Sequence, residues 1–548
     1  VDTDNKQLVQ KLAQRHSQVK RMRQPVEPVI QEVLDLVCPH RSDFLHAITD
    51  FSTVGKKIFD GSPQSALMIW VDGIQGYLVS AAIKWFTLTL ADERLLELPD
   101  VKDWLKDVEG RIYNVLGRSN FYAVMEEHLV DAGSAGTANL FIHEDLASRR
   151  LHFNVEHPRD VWLVNDLWGD VNEVHVLKRL TLHEAARQYG KHNLSRARQL
   201  MLAEQPYAEI EVLWVVAPND APLPGARDFR GKAFRSYHLE VGQDHLLRTG
   251  GYGTLPGAFM RTRPRSGSAY GISPAEMAKY EITRLYAMGK SLMHAGHLAS
   301  RPFWQAPREM RGTLKLTPDA INWYDDPARR IMPGTTGSNY PIGSDREEQA
   351  RETIKRWYSV DFFLAMQSQK GDRTAEEIRE LQSERASLLG PQMERLSYDL
   401  DAVIGRVYDL MAQAGQLPDP PAALEEAGEE PVRIEYVGPL AMARKQNYAL
   451  GPVRAALRDI GALAQIDLTV LDNYDWDVVS RYMSEQNGGL PSRAVRDKQA
   501  VAALRDGRAQ AQQAARTAEM LQKGAETAAK FQGPVDASSP MAAAMANA

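Results

Sequence analysis

Residues 270–300 read YGISPAEMAKYEITRLYAMGKSLMHAGHLAS, and the architecture turns on this stretch. Ser273 followed by Pro274 is a helix start, because a hydroxyl at the N-cap accepts from an otherwise unpaired backbone N–H and proline suits the first turn. From there Ile282, Leu285, Met288, Leu292, Ala295 and Ala299 recur on one face. The spacing predicts a helix over 273–299, about 40 Å long at ~1.5 Å per residue. It stops before Arg301-Pro302, since a residue preceding proline avoids the helical region. Proline and glycine then punctuate the chain to about Ser344, with strand-like WYDD and RRIMP between them. Helix resumes at Asp345 with Ile354, Trp357, Tyr358, Phe362 and Ala365 inward, and SQKGD breaks it. Two long helices therefore flank a short irregular module.

Downstream, Thr374 and Glu377 match a capping box, in which hydroxyl and carboxylate satisfy each other's backbone N–H groups. The helix they open carries Ile378, Leu381, Leu388, Leu396, Leu400, Val403, Val407 and Leu410, with a kink expected at Gly390-Pro391 and an end near Gly415. PDPPAALEEAGEEP reads as a linker and VRIEYVG as a last strand. Helices fill the rest, with turns near Asp467 and at Asn487-Gly488-Gly489. After Arg508 the chain is rich in Ala and Gln, which predicts a loose helix fading to a disordered tail at SSPMAAAMANA.

Upstream, residues 3–38 read as helix divided by Pro25 and Pro28, with Leu8, Leu12, Val19, Val29, Val33 and Leu36 on the apolar face. Further helices are expected at 66–90 and 101–116. Between Gly136 and Val174 short β-branched and aromatic runs alternate with turns and predict strands. EVHVLKRLTL and IEVLWVVAPN are further strands, separated by a helix over 182–189. Residues 234–247 read as a hairpin and GGYGTLPG as a loop. A strand-rich middle within a helical chain makes the class α+β, predominantly α.

The chain has 548 residues, which at roughly 100–200 per domain implies about three to five units unless one elongated subunit uses the length differently. Cys38 is the single cysteine, so neither an intrachain disulfide nor a cysteine-cluster zinc site can form. At the end of VIQEVLDLVC it reads as a small buried hydrophobe. No run reaches the roughly 18 apolar residues of a membrane helix, and the longest, 81–90, is interrupted by Lys84. The opening VDTDNKQLVQKLAQRH is polar and helical in pattern, unlike a signal peptide. A formal net charge of −6 argues against a tight, sequence-independent DNA binder, though DNA could still slide past such a surface.

Catalytic patterns are incomplete. Gly289-Lys290-Ser291 imitates the end of a phosphate loop, but Arg284 stands where its first glycine belongs. The triplet also lies within a predicted helix, whose N–H groups are already used. GGYGTLPG lacks the helix that a dinucleotide fingerprint requires. His294 and His297 share a helix face without a third ligand nearby in sequence, and neither an H-E-x-x-H pair nor a G-x-S-x-G elbow occurs. Carboxylates are abundant enough that a nuclease site distributed along the chain stays open.

Six strings in order carry a resemblance: RSNFY at 118–122, GTANL at 136–140, YGISPAEMAKYEITRLYAMGK at 270–290, RTAEEIRELQSER at 373–385, LLGPQMERLSYDLDAVIGRVYDLM at 388–411 and YVGPLAMARKQ at 436–446. Together they resemble the podovirus head-to-tail connecting, or portal, protein family, over about residues 20–510. The chain departs from the family where a Pro-Pro pair often follows the first long helix; here Arg301-Pro302-Phe303 stands. The resemblance implies a subunit with wing, stem, clip and crown that assembles as a ring, usually twelvefold, around double-stranded DNA.

By position it assigns 1–262 and 374–440 to the wing, 263–300 and 346–368 to the two stem helices and 301–345 to the clip. Residues 369–373 become the tunnel loop, 441–510 the crown and 511–548 the tail. Terminase, tail adaptors, capsid and scaffold are the implied partners, with neither membrane nor cofactor, in the virion and, during assembly, the host cytoplasm. Phe303, Trp304, Trp323 and Tyr324 suit docking anchors in the clip, or equally clip–clip packing between subunits. Gln369, Lys370, Gly371, Asp372 and Arg373 suit a loop facing DNA, or an ordinary surface loop with Arg373 paired to Glu376 or Glu377. The terminase supplies the ATP energy in this family, which agrees with the broken phosphate loop. Another virion structural protein and a nucleic-acid enzyme are the competing classes; an open axial channel separates the first, metal-dependent DNA cleavage the second.

Overall fold

The computed structural model describes residues 2–96, 98–145, 150–226, 228–243, 245–300, 304–305, 326, 332–333, 340–367, 375–428, 432–438, 451–465, 467–487 and 498–531. The chain divides into two compact units, Val1–Arg444 and Lys445–Ala548, fewer than length alone implies. The first stays whole because one apolar core joins residues as distant in sequence as Val33, Leu129, Ile282, Ile354 and Val407.

Two helices, α1 (Asp2–Arg23) and α2 (Glu27–Val37), open it, divided at Pro25 as the sequence predicts. The buried face of α2 is Ile30, Val33, Leu34 and Val37, a turn-by-turn stripe displaced from the expected Val29 and Leu36, which are only half-buried. The helix expected over 66–90 is α3 (Ser62–Leu78), and strand β1 (Phe86–Thr89) takes its second half. Phe86 and Leu88 are buried while Thr87 and Thr89 are half-buried, a period of two that suits a strand with a distant partner. Short α4 (Glu93–Leu96), α5 (Pro99–Arg118) and α6 (Phe121–Ala135) follow, the last unanticipated.

The strand-rich middle contains β2 (Thr137–Asp145), β3 (Arg150–Glu156), β4 (Val161–Asn165), β5 (Val171–Thr181), β6 (Glu209–Pro218), β7 (Phe234–Glu240), β8 (His245–Tyr252) and β9 (Gly257–Arg261). Helix α7 (Leu182–Tyr189) starts on a complete capping box of Thr181 and Glu184, and α8 (Arg196–Glu204) is a second, unexpected helix of the same insertion. Strands β4-β5-β6-β7-β8 make an antiparallel sheet in chain order, and β3-β2-β9 a smaller one. GGYGTLPG is not wholly a loop, since β8 runs through Gly250 and Gly251 to Tyr252. On β6, Leu213 and Val215 pack under Val9 and Leu12 of α1, whereas Trp214 and Val216 pack with Phe141 and Phe259 of the smaller sheet.

Residues 263–273, assigned by resemblance to the first stem helix, instead form a turn closed by a Pro264–Gly271 bridge, and α9 (Pro274–Ser300) starts after it. Beyond come β10 (Trp304–Gln305) and β11 (Met332–Pro333), paired antiparallel, then α10 (Tyr340–Trp357) and α11 (Val360–Gln367). The second stem helix, expected unbroken over 346–368, is thus divided, because Ser359 takes φ +53. Helix α12 (Ala375–Gln413) is continuous through Gly390-Pro391. The linker contains α13 (Ala422–Ala427), and β12 (Arg433–Tyr436) pairs antiparallel with β1.

The second unit contains helices Gly451–Ala464, Trp476–Asn487 and Lys498–Phe531. Asp467 caps the turn before Leu468–Asn473 by accepting from Thr469 N–H at 2.9 Å. The Ala- and Gln-rich segment stays helical to Phe531, and the expected disordered end lies outside the described residues. Among the described residues no helix is long and apolar enough to cross a membrane.

Candidate functional site

Helices α9 and α10 are the elements that the sequence marks out, and both are rooted in the first unit. At the root of α9, Ser273 Oγ accepts from the Glu276 N–H at 2.9 Å, the N-cap expected of it. The Arg265 guanidinium holds the Glu276 carboxylate at 2.6 and 2.7 Å. Gly136, at φ +80, ends α6 against this root; a side-chain carbon there would lie 2.7 Å from Ser273 N and 2.8 Å from Gly271 O. Only glycine combines that backbone with that closeness.

Ala275, Ala278, Ile282 and Leu285 of α9 are buried. Tyr286 donates to Leu36 O at 2.7 Å and accepts from Gln64 at 2.9 Å; burial pushes its hydroxyl up to about 12, so it stays a donor at any ordinary pH. Past Tyr286 the helix is sparsely covered: Lys290, Ser291, Met293 and His294 are exposed. Gly289 faces the side chain and carbonyl of Phe59. The N-terminal half of α9 is thus anchored, and the C-terminal half is exposed along much of its surface.

Helix α10 returns along α9 with Ala350 and Ile354 buried, and Tyr358 just after its end is buried too. Arg351 forks onto Asp60 at 2.9 and 2.8 Å, and bonds from Ser62 and Arg351 hold the Asp60 carboxyl below its ordinary range despite partial burial. After the Ser359 break, α11 buries Phe362 and Phe363. Phe363 lies so close to Gly73 of α3 that a side-chain carbon there would approach its ring to 2.2 Å. Neither the Asp60–Arg351 fork nor this contact has a local signature in sequence.

A family model described as bacteriophage head to tail connecting protein matches residues 9–494. The chain belongs to that family. It is 28% identical to the portal protein of Salmonella phage epsilon15, over 100% of this chain and 99% of that protein. It is also 28% identical to the probable portal protein of Bordetella phage BPP-1, over 93% of this chain and 92% of that one.

Within this connector-family chain, the residues expected to act are mostly not described. Phe303, Trp323 and Tyr324, and all of 369–373 with the capping Thr374, lie outside the described residues. Trp304 is placed by its backbone alone, opposite Pro333 in the β10–β11 ladder. The false phosphate loop is helical, with Ser291 Oγ donating back to Ala287 O at 2.9 Å. Among the described residues no group of three or more His, Cys, Asp or Glu is arranged to hold a metal ion.

Proposed function

We propose that the chain is the portal subunit of a short-tailed bacteriophage, a structural conduit for double-stranded DNA at one capsid vertex. The observation that carries this reading is the connector-family match over residues 9–494, with full-length similarity to a portal protein. In this reading twelve copies form a ring. Terminase docks on it during packaging and tail adaptors replace it afterwards, while capsid and scaffold hold its flank. The chain acts without a catalytic site of its own.

In the same reading α9 and α10 are stem helices, 301–345 is the clip and 369–373 the tunnel loop. An anchored root and a far half with much of its surface exposed suit a stem, since that surface is where neighbouring copies would pack. The segment 441–510 serves as crown; it overlaps the second compact unit, Lys445–Ala548. An acidic subunit supports sliding, because a basic lumen would bind phosphates by counterion release.

Negative-stain microscopy and light scattering of the purified protein test the reading. Rings with an open axial channel and a mass of about 0.7 MDa, twelve times 61.3 kDa, are expected. A chain that stays monomeric across salt and concentration would contradict it.

A further inference from the structure

The turn between β4 and β5 presents Leu167 and Trp168 almost fully to solvent, 99% and 88% exposed. It is nevertheless stiff. Asp166 Oδ1 accepts from the Trp168 and Asp170 N–H groups at 2.8 and 2.9 Å, and the Asp166 N–H donates to Asp170 O at 2.8 Å. From behind, the buried Arg261 donates to Gly169 O at 2.8 Å, and the Tyr398 hydroxyl donates to Asp170 at 3.1 Å. A rigid turn that holds two large apolar side chains in water has already lost the entropy that binding would remove, which is how an interface anchor is prepared.

Beside this turn a cleft of 430 Å³ opens between α12 and β9, with Leu255 and Phe259 in its apolar wall. Its charged lining is Asp170, Asp399, Asp401 and Asp409 against Arg261 and Arg406. Both arginines are more than nine-tenths buried, and the Nε of each lacks a hydrogen-bond partner. Burial pushes the Asp399 carboxyl up to about 7, and the other three carboxylates still outnumber the two guanidinium groups, so the cleft favours a cationic partner.

Such a surface exists on this chain, across the large sheet. The cleft's Leu255 and Phe259 pack with the β6 face that bears Trp214 and Val216, while α1 covers the face that bears Leu213 and Val215. With Val9, Leu12 and Val19 turned inward, the outward face of α1 carries Lys11, Gln14, Gln18, Arg21 and Met22, all exposed. After Asp4 the helix has no acidic residue. Two unlike, complementary surfaces on opposite faces of one layer are what a head-to-tail ring contact requires; adjacent surfaces would favour a closed pair instead.

We propose that α1 of one copy, through Lys11, Arg21 and Met22, docks on the Leu167–Trp168–Tyr398 surface and acidic cleft of the next copy. This contact rests on the ring reading above and adds the pair of surfaces that form it. The test compares Trp168→Ala, Lys11→Glu with Arg21→Glu, and all three changes in one chain. Because these side chains are exposed, thermal unfolding of the dissociated subunit should be unchanged. Ring dissociation on dilution is followed by mass photometry. Each single-surface variant should raise the half-dissociation concentration by about tenfold or more. The combined variant should lose no more than the worse of the two, since both sets of changes break one contact. Additive losses would show that the two surfaces do not meet, and unaltered dissociation would remove them from the interface; either overturns the proposal while wild-type rings keep the portal reading intact. A wild-type chain that never forms rings would overturn both.

Discussion

Gly73 sits inside α3, where alanine would ordinarily improve a helix by about 1 kcal/mol. Packing decides otherwise, because the added carbon would meet the Phe363 ring at 2.2 Å and neither partner has room to retreat. Overpacking of this kind costs about 1–3 kcal/mol, so Gly73→Ala should destabilise in denaturant titration; a gain would show that Phe363 yields. A second residue-scale effect concerns charge. Asp131 of α6 is 1% exposed, and burial pushes its carboxyl from 3.8 up to about 7 although Arg41 stands 2.7 Å away. The folded chain therefore holds a proton that the unfolded chain releases. The stability this contributes is present below about pH 4 and is lost as pH rises towards 7. Asp131→Asn removes that loss, so its stability relative to wild type should rise between pH 4 and 7. A difference that is flat with pH would sink the assignment.

At the scale of elements, α10 is held to the body of the first unit by its buried stripe and by the Arg351 fork on Asp60. Arg351→Met keeps the side chain's bulk and leaves Asp60 without its guanidinium. A charge-assisted hydrogen bond is worth roughly 1.5–3 kcal/mol, so α10 should exchange amide hydrogens faster while the five-stranded sheet stays as protected as before. Equal protection in α10 would mean that its apolar stripe holds it alone. The start of α9 was legible in sequence because its cap is local, at Ser273, whereas α8 went unread although Ser195 caps it in the same way. The end of α3 was not. Residues 79–90 continue an apolar run, and β1 is a strand because β12, some 350 residues later, supplies its partner. Nor was the Ser359 break legible, since neither glycine nor proline marks it and burial of Phe362 and Phe363 sets the direction of α11.

For the whole assembly the tunnel-loop proposal is the sharpest to test. Lys370 and Arg373 stand in a polar, glycine-containing segment, and Asp372 with the acidic remainder would limit their dwell on phosphates. Lys370→Ala with Arg373→Ala should leave ring mass unchanged, because on the proposed reading the two charges face DNA and hold no part of the fold together. Packaged DNA length or genome retention should change. Normal DNA content and normal ejection in virions carrying both changes would show that the two charges are idle.

What the sequence determined by itself is local or cumulative. Periodicity and caps located α2, α5, α7 and α9, β-branched and aromatic runs located β5 and β6, and six ordered strings identified the family. These signals survive because each depends on neighbours within a few turns, or on many weak matches added along the chain. Tertiary structure alone decided the rest. The pairing of β1 with β12, the Asp60–Arg351 fork, the Gly73–Phe363 contact and the placing of α1 and of Leu255 and Phe259 on opposite faces of one sheet all join residues remote in sequence. Such contacts arise from the shape of a shared core and the direction of side chains within it, and no local stretch of residues encodes either.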